Sequence, residues 1–236
     1  MGRNLAIDTT FDVRTDARGK DPDTHSRTLR KYHMQLWSKP LPNGVLFDLD
    51  DHTPDAYLHH KSALGEFYLA SDSVIPTFDS WFRMAHIIDE IPEVERKSFH
   101  DIGYTIGGMM LFPGNKVDGK QTINGARGFN QKIADRLDLT LECVRRHYLG
   151  MGSPLGETLA RYPDFFALFE SFEGYVKFFL LQDLVNEDST AVRFLMPFDD
   201  FRPPAFPRTM AAYQDYRRLT IEFVTSRNRR IADFWN

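Results

Sequence analysis

Two short acidic and glycine-rich segments carry residue types that do phosphate chemistry elsewhere. Val45-Leu46-Phe47-Asp48-Leu49-Asp50-Asp51-His52-Thr53 is similar to the first motif of haloacid-dehalogenase-like phosphatases. In that motif a strand end presents one Asp as nucleophile and a second, two residues on, as general acid, with magnesium between them. The reading casts Asp48 as nucleophile and Asp50 as acid. It meets an obstacle in His52, because the motif's Thr should follow Asp51 directly. It also needs a parallel βαβ series that the chain does not show, so a strand leaving a sheet into a capped acidic loop accounts for the segment better. Gly114-Asn115-Lys116-Val117-Asp118-Gly119-Lys120 has the G-x₄-G-K spacing of a phosphate loop, yet Gln121 stands where Ser or Thr would hold magnesium.

Other spacings carry less. Arg27 with His33 and Arg18 with His25 fit the R-x₄₋₆-H pattern of small helical ribonucleases, but with 20 Arg and eight His about two such matches arise by chance. The histidines show no metal spacing, and no metal or cofactor is expected. Cys143 sits among apolar residues as a buried, inert thiol.

The segment from residue 104 to 149 is the most suggestive. Its apolar spacing predicts one long helix over 123–149. Ile133, Leu137, Leu141, Val144 and Tyr148 fall within about 80° of arc on it. Asp135, Asp138, Glu142 and Arg146 form a polar stripe on the opposite face, with Glu142 and Arg146 in the favoured i,i+4 order. These four are the weak catalytic candidates: either the stripe is a self-paired, solvated face, or a second layer covers it and makes a polar cleft. Leu139 and Cys143 widen the apolar arc and favour a cover. At the start of the same helix, Asn124, Arg127 and the neighbouring Arg136, with Lys116 and Lys120 in the preceding loop, are the candidate ligand-binding set. A helix N-terminus with free N–H groups and added cations suits an anion.

Certain blocks mark a resemblance. They are Asp21 to Asp23 (DPD), Tyr32 to Gly44 (YHMQLWSKPLPNG), Glu66 to Ser73 (EFYLASDS), Thr122 to Gly128 (TINGARG) and Asp135 to Tyr148 (DRLDLTLECVRRHY). Through them the chain resembles, over most of its length, a widespread bacterial family with no assigned activity. The resemblance implies a stand-alone soluble bacterial protein and carries over no catalytic residue.

The elements that must position these residues follow from punctuation and periodicity. Ser26 caps a helix over 27–37. Strands are expected at 45–47, 66–70, 104–112 and 191–196, with Gly107-Gly108 marking a bulge or a close backbone approach. Helices are expected over 79–102, with Pro92 starting the later one, and from about 208 to the end. In that last helix Arg217 and Arg227 fall within the apolar arc, and each needs an acid or a ligand there. Few strands followed by a block of helices predicts an α+β fold, a small mixed or antiparallel sheet packed against a mostly helical C-terminal half. One domain over 1–236 is expected: a loop-rich segment at 1–25, mixed strands and helices at 26–121, and mostly helix at 122–236.

Composition bounds the rest. At 236 residues, 42% hydrophobic and 26% charged, the chain is long and apolar enough to bury a core without a staple. One cysteine excludes an internal disulfide and a multi-cysteine zinc site. A net charge of −4 argues against a bulk-basic nucleic-acid coat. Ala6 breaks the myristoylation pattern begun by Gly2, and no secretory or membrane segment is read, so a cytoplasmic location is expected. The leading functional expectation is a protein that binds or processes a phosphate-bearing ligand, a nucleotide or nucleic acid, at the 113–128 loop and helix start. The alternative is a non-catalytic interaction protein in a stress or phage-defence system, with a protein partner or a second copy of the chain.

Overall fold

The computed structural model describes residues 6–52 and 57–235. Gly2 and Thr53, weighed above, lie outside them. Among the described residues six strands form two antiparallel sheets. β1 (Lys39–Pro40) and β2 (Leu46–Phe47) make a ribbon around the Pro42-Asn43-Gly44 turn, where Gly44 takes φ +80°. β3 (Asp50–His52), β4 (Tyr57–Ser62), β5 (Gly65–Ser73) and β6 (Met109–Pro113) pair in that order, each with the next. Asp72 of β5 stands opposite Met110 of β6. Every residue of β6 is buried, as expected for a strand covered on both faces.

Helices α1 (Pro22–His25) and α2 (Arg27–Trp37) precede the sheets, and α3 (Ala85–Ile88) and α4 (Glu93–Gly103) lie between β5 and β6. Ser26 caps α2 as expected, accepting from Leu29 N–H at 3.0 Å. The second half is helical: α5 (Ile123–Phe129), α6 (Leu137–Tyr148), α7 (Gly156–Leu159), α8 (Pro163–Ala167), α9 (Phe172–Phe178) and α10 (Met210–Trp235). The α+β expectation therefore holds, with the sheets antiparallel and the C-terminal half mostly helical. The buried apolar residues form one cluster from Ile7 to Ile231.

Three expected elements differ. The strand expected at 104–112 forms only from Met109, because Ile106–Gly108 is a 3₁₀ turn. The helix over 123–149 is broken into α5 and α6, because Ala134 and Asp135 take φ +48° and +61° and end any helical run there. The apolar spacing concealed the break, since Ile133 in the connection is buried as fully as the helical residues. The strand expected at 191–196 is a single bridge, Val185 to Val192. Leu195 N–H donates to the Asp138 carboxylate, so it is committed to a side chain and not to a strand ladder.

Gly107 is the close approach anticipated from sequence. A Cβ there would sit 2.5 Å from Asn228 Oδ1 and 2.9 Å from Val224 O of α10. The absent side chain lets Gly107 N–H donate to Asn228 at 2.8 Å. Arg217 finds the acid it needs in Glu95 at 2.7 Å. Arg227 does not: its guanidinium donates to three backbone carbonyls, Gly107 and Met109 at 2.9 Å and Phe179 at 3.1 Å. Partial carbonyl charges replace the expected carboxylate.

Candidate functional site

A cleft of about 380 Å³ opens where α1, the end of β5, the 75–81 segment, the end of α4 and the α5–α6 connection meet. Its polar floor is built from Asp23, Asp72 and Asp135. Asp21 starts this arrangement by capping α1, accepting from Asp23 N–H at 3.1 Å, and so sets Asp23 in the first turn.

A relay of side chains then fixes Asp23. Trp37 and His33 lie one turn apart on α2, and Trp37 Nε1–H donates to His33 Nδ1 at 3.0 Å. An indole nitrogen only donates, so Nδ1 is an acceptor and the ring's hydrogen is on Nε2. His33 Nε2 therefore donates to Ser71 Oγ at 3.0 Å, and Ser71 donates to Asp23 Oδ1 at 3.0 Å. Burial, then the nearby Arg227 and Arg30 charges, push the His33 pKa down to about 3, so the ring stays neutral. The Ser71–His33–Asp23 group contains the residue types of a hydrolytic triad in the wrong direction. The histidine gives Ser71 a hydrogen and takes none, so it cannot act as the serine's base.

Arg127 ties the floor together from α5. It is fully buried and donates to the Asp72 carboxylate, to Asp135 O at 2.7 Å and to Thr140 Oγ1 at 2.9 Å, with Asp135 Oδ1 at 3.3 Å. Its guanidinium carbon lies 5.1 Å from the Phe112 ring centroid. The left-handed φ of Asp135 points both its carbonyl and its carboxylate at this one cation.

The opposite wall carries Thr77, Phe78, Trp81, His100 and Tyr104. His100 Nε2 contacts Asp79 Oδ2 at 2.5 Å and Thr77 Oγ1 at 3.0 Å, and its ring lies parallel to Tyr104. The Arg14 guanidinium lies over the same Tyr104 ring, 4.7 Å from its centroid.

The carboxylate floor holds more negative charge than its cation balances. Burial, then the charges of Asp21 and Asp135, push the Asp23 pKa up to about 6, against the pull of hydrogen bonds from Ser71 and Ser73 N–H. Burial also pushes Asp72 up to about 8; Arg127 pulls it down, while Asp135, Asp23 and Asp21 push it further up. Two carboxyl groups titrating around neutrality in one cleft can hold or release a proton, or accept a cation.

The residues singled out from sequence are mostly elsewhere. Arg127 belongs to the last turn of α5 and faces inward to carboxylates, so it does not present itself to an anion at the helix start. That start is closed by Thr122, which accepts from Gly125 N–H. Asn124 donates to Ser71 O at 3.2 Å. Lys116 and Lys120 remain exposed on the loop. Arg136 is buried and engaged, forming a two-pronged pair with Asp138 and donating to Ala205 O at 3.1 Å. Glu142 is clasped by Arg145 at 2.7 and 2.9 Å and by Arg146 at 2.8 Å, and Arg146 also reaches Asp200 at 2.6 Å. The expected cover over the Asp138–Glu142 face is therefore present, through Leu195, Asp200 and Ala205, but it closes the face with ion pairs. Of the four stripe residues only Asp135 lines the cleft, and it lies before α6.

The remaining motifs lose their context. Asp48 lies between β2 and β3 and Asp50 starts β3, both exposed, and every strand pairing among the described residues is antiparallel. The topology that a dehalogenase-like phosphatase needs is absent from them. Arg27, Arg18 and His25 are exposed while His33 is buried, so neither R-x-H pair shares a cleft. Burial pushes the Cys143 thiol up to about 12, as an inert thiol requires. No group of three His, Cys, Asp or Glu among the described residues is placed to hold a metal ion.

Asp23, Ser71 and Asp72 were not picked out individually, although they stand inside the DPD and EFYLASDS blocks. Residues 7–231 match the profile of DUF6994, a family of unknown function. The chain belongs to this family. No curated protein matches it, and no solved structure does. No helix among the described residues is long and apolar enough to cross a membrane.

Proposed function

We propose that the Asp23–Asp72–Asp135 cleft binds a small organic cation, a primary amine or guanidinium compound of metabolite size. One observation carries the reading: three carboxylates converge on the cleft floor, and the single cation among them, Arg127, is fully buried and already donating to Asp72, Asp135 and Thr140. Burial raises Asp23 and Asp72 most, and a ligand cation would offset both that cost and the repulsion among the acids. Trp81 lines the same cleft and supplies an aromatic ring beside that charge. A volume of about 380 Å³ suits a small molecule.

The reading has a pH signature. A cation favours ionised Asp23, so binding releases a proton near the Asp23 pKa of about 6, and affinity rises from pH 5.5 to pH 8.

The anionic-ligand expectation at 113–128 now rests on Lys116 and Lys120 alone, since Arg127 is engaged elsewhere. A thermal-shift screen with diamines, guanidino compounds, nucleotides and short RNA separates the readings. At 100 times Kd a ligand that binds only the folded state adds about 2.7 kcal/mol, a visible shift. Stabilisation by amines that is lost in Asp23→Asn and Asp72→Asn is the expected result. Stabilisation by nucleotides or RNA, lost on replacing Lys116 and Lys120 by Ala, would overturn the cation reading in favour of a phosphate-bearing ligand. No shift with any compound, together with capture of a protein partner, would favour the interaction protein.

A further inference from the structure

A second groove, of about 500 Å³, lies away from the acidic cleft, between the Lys39–Pro42 turn, the α8–α9 connection and the end of α10. Its walls are largely apolar, from Pro40, Leu41, Phe169, Phe178 and Phe234. Two lysines line it, the exposed Lys177 and the half-buried Lys39. Lys39 Nζ donates to Phe178 O at 2.6 Å and stands 4.9, 4.7 and 4.8 Å from the ring centroids of Trp37, Phe178 and Phe234.

The charges around Lys39 are unusual. No carboxylate lies within ion-pair distance of Nζ among the described residues. Of the two acids at the groove, Glu173 is paired with Lys177 at 2.6 Å, and Glu170 is exposed at its mouth. Arg227 adds a further cation: its guanidinium lies over the same Trp37 ring, 6.0 Å from the centroid. A structural lysine would ordinarily be given a counter-ion or left in water, and Lys39 has neither in full.

We propose that Lys39 is a nucleophilic amine that forms an imine with an aldehyde carrying an apolar body, held in this groove. The neutral Nζ lone pair adds to the carbonyl carbon, and the C–N bond forms. The two Nζ hydrogens leave with the carbonyl oxygen as water, so atoms and electrons balance with no further reactant. The apolar walls favour an aldehyde with a hydrocarbon or aromatic body over a small polar one. The electrostatics agree with the geometry: burial and then the Arg227 charge bring the Lys39 pKa down to about 7. The three rings favour the ammonium, so amine and ammonium coexist near neutrality, as an imine-forming lysine requires.

The test uses the folded chain at pH 7.5 with benzaldehyde and sodium cyanoborohydride, which traps the imine as a stable secondary amine. Peptide mapping by mass spectrometry then compares all nine lysines. The expected result is labelling of Lys39 about tenfold or more faster than the exposed Lys61 and Lys97, with the preference lost in guanidinium chloride. Glycolaldehyde, small and polar, should show less preference for Lys39 than benzaldehyde does. Labelling of Lys39 no faster than Lys61 or Lys97 in the folded chain would overturn the proposal. Equal preference with both aldehydes would overturn the apolar specificity. Neither readout involves the acidic cleft, so the two sites stand or fall separately.

Discussion

His33 gives its Nε2 hydrogen to Ser71 Oγ across 3.0 Å, and Trp37, occupying Nδ1, leaves no other direction open. Ser71 must then spend its own hydrogen on Asp23. The serine is thus a positioning group. It should resist a fluorophosphonate probe, with no mass added to its peptide. Ser71→Ala removes a hydrogen bond that favours ionised Asp23, so the Asp23 pKa should rise above its value of about 6, as read by carboxyl-carbon NMR. A fluorophosphonate adduct on Ser71 would sink the relay direction.

The raised acids make stability depend on pH with a definite sign. Asp23 and Asp72 hold their protons more tightly folded than unfolded, where a carboxyl titrates near 4. Between about pH 4 and pH 8 these two acids therefore bind more protons in the folded state, and their contribution to stability falls as pH rises. His33, lowered to about 3, and Lys39, lowered to about 7, act the other way, so the Asp72 part is isolated by a variant. The urea midpoint of Asp72→Asn, which cannot ionise, should gain on that of the wild type from about pH 5 to about pH 9. A difference between the two that is constant over this range would contradict the raised Asp72 value.

The two buried pairs of α6 should respond unequally. Asp138→Ala strands Arg136 inside the protein and orphans Leu195 N–H, at a cost of about 3–5 kcal/mol. Arg146→Ala leaves Glu142 still held by Arg145 through two bonds, and should cost about 1 kcal/mol. Urea melts of both variants test the order. A larger loss at Arg146 would mean that Arg145 does not hold Glu142 alone.

Legibility from sequence followed the range of each signal. The Ser26 cap, the Gly107 approach and the α10 face are local patterns, and each is where the spacing placed it. The α5–α6 break was hidden because the 3.6-residue periodicity of buried residues runs through a non-helical connection. Arg127 faces carboxylates and not the helix start that the spacing suggested. A position in a helix's last turn, facing a strand residue 55 positions earlier, has no local signature. The same holds for Asp23 and Asp72: 49 residues separate them, and only the docking of α1 on β5 makes them neighbours.

The Arg127–Asp72 pair offers the sharpest test of the cleft floor. Arg127→Met removes the cation that Asp72 and Asp135 share and leaves them facing each other, at an expected cost of about 3–5 kcal/mol above about pH 8, where Asp72 is ionised. Asp72→Asn alone leaves Arg127 with Asp135 and Thr140 and should cost less. In the double variant, Asp135 is the one remaining acid of the three and the repulsion is relieved, so the two losses should not add. A coupling of about 1–2 kcal/mol in the double-mutant cycle is the expected value for groups in direct contact. The coupling should also shrink as pH falls below the Asp72 pKa of about 8, because a protonated Asp72 no longer attracts Arg127 as a charge. Strict additivity at pH 8 would show that Arg127 is held by Asp135 and Thr140 alone, and Asp72 would then be an uncompensated acid directly available to a cationic ligand.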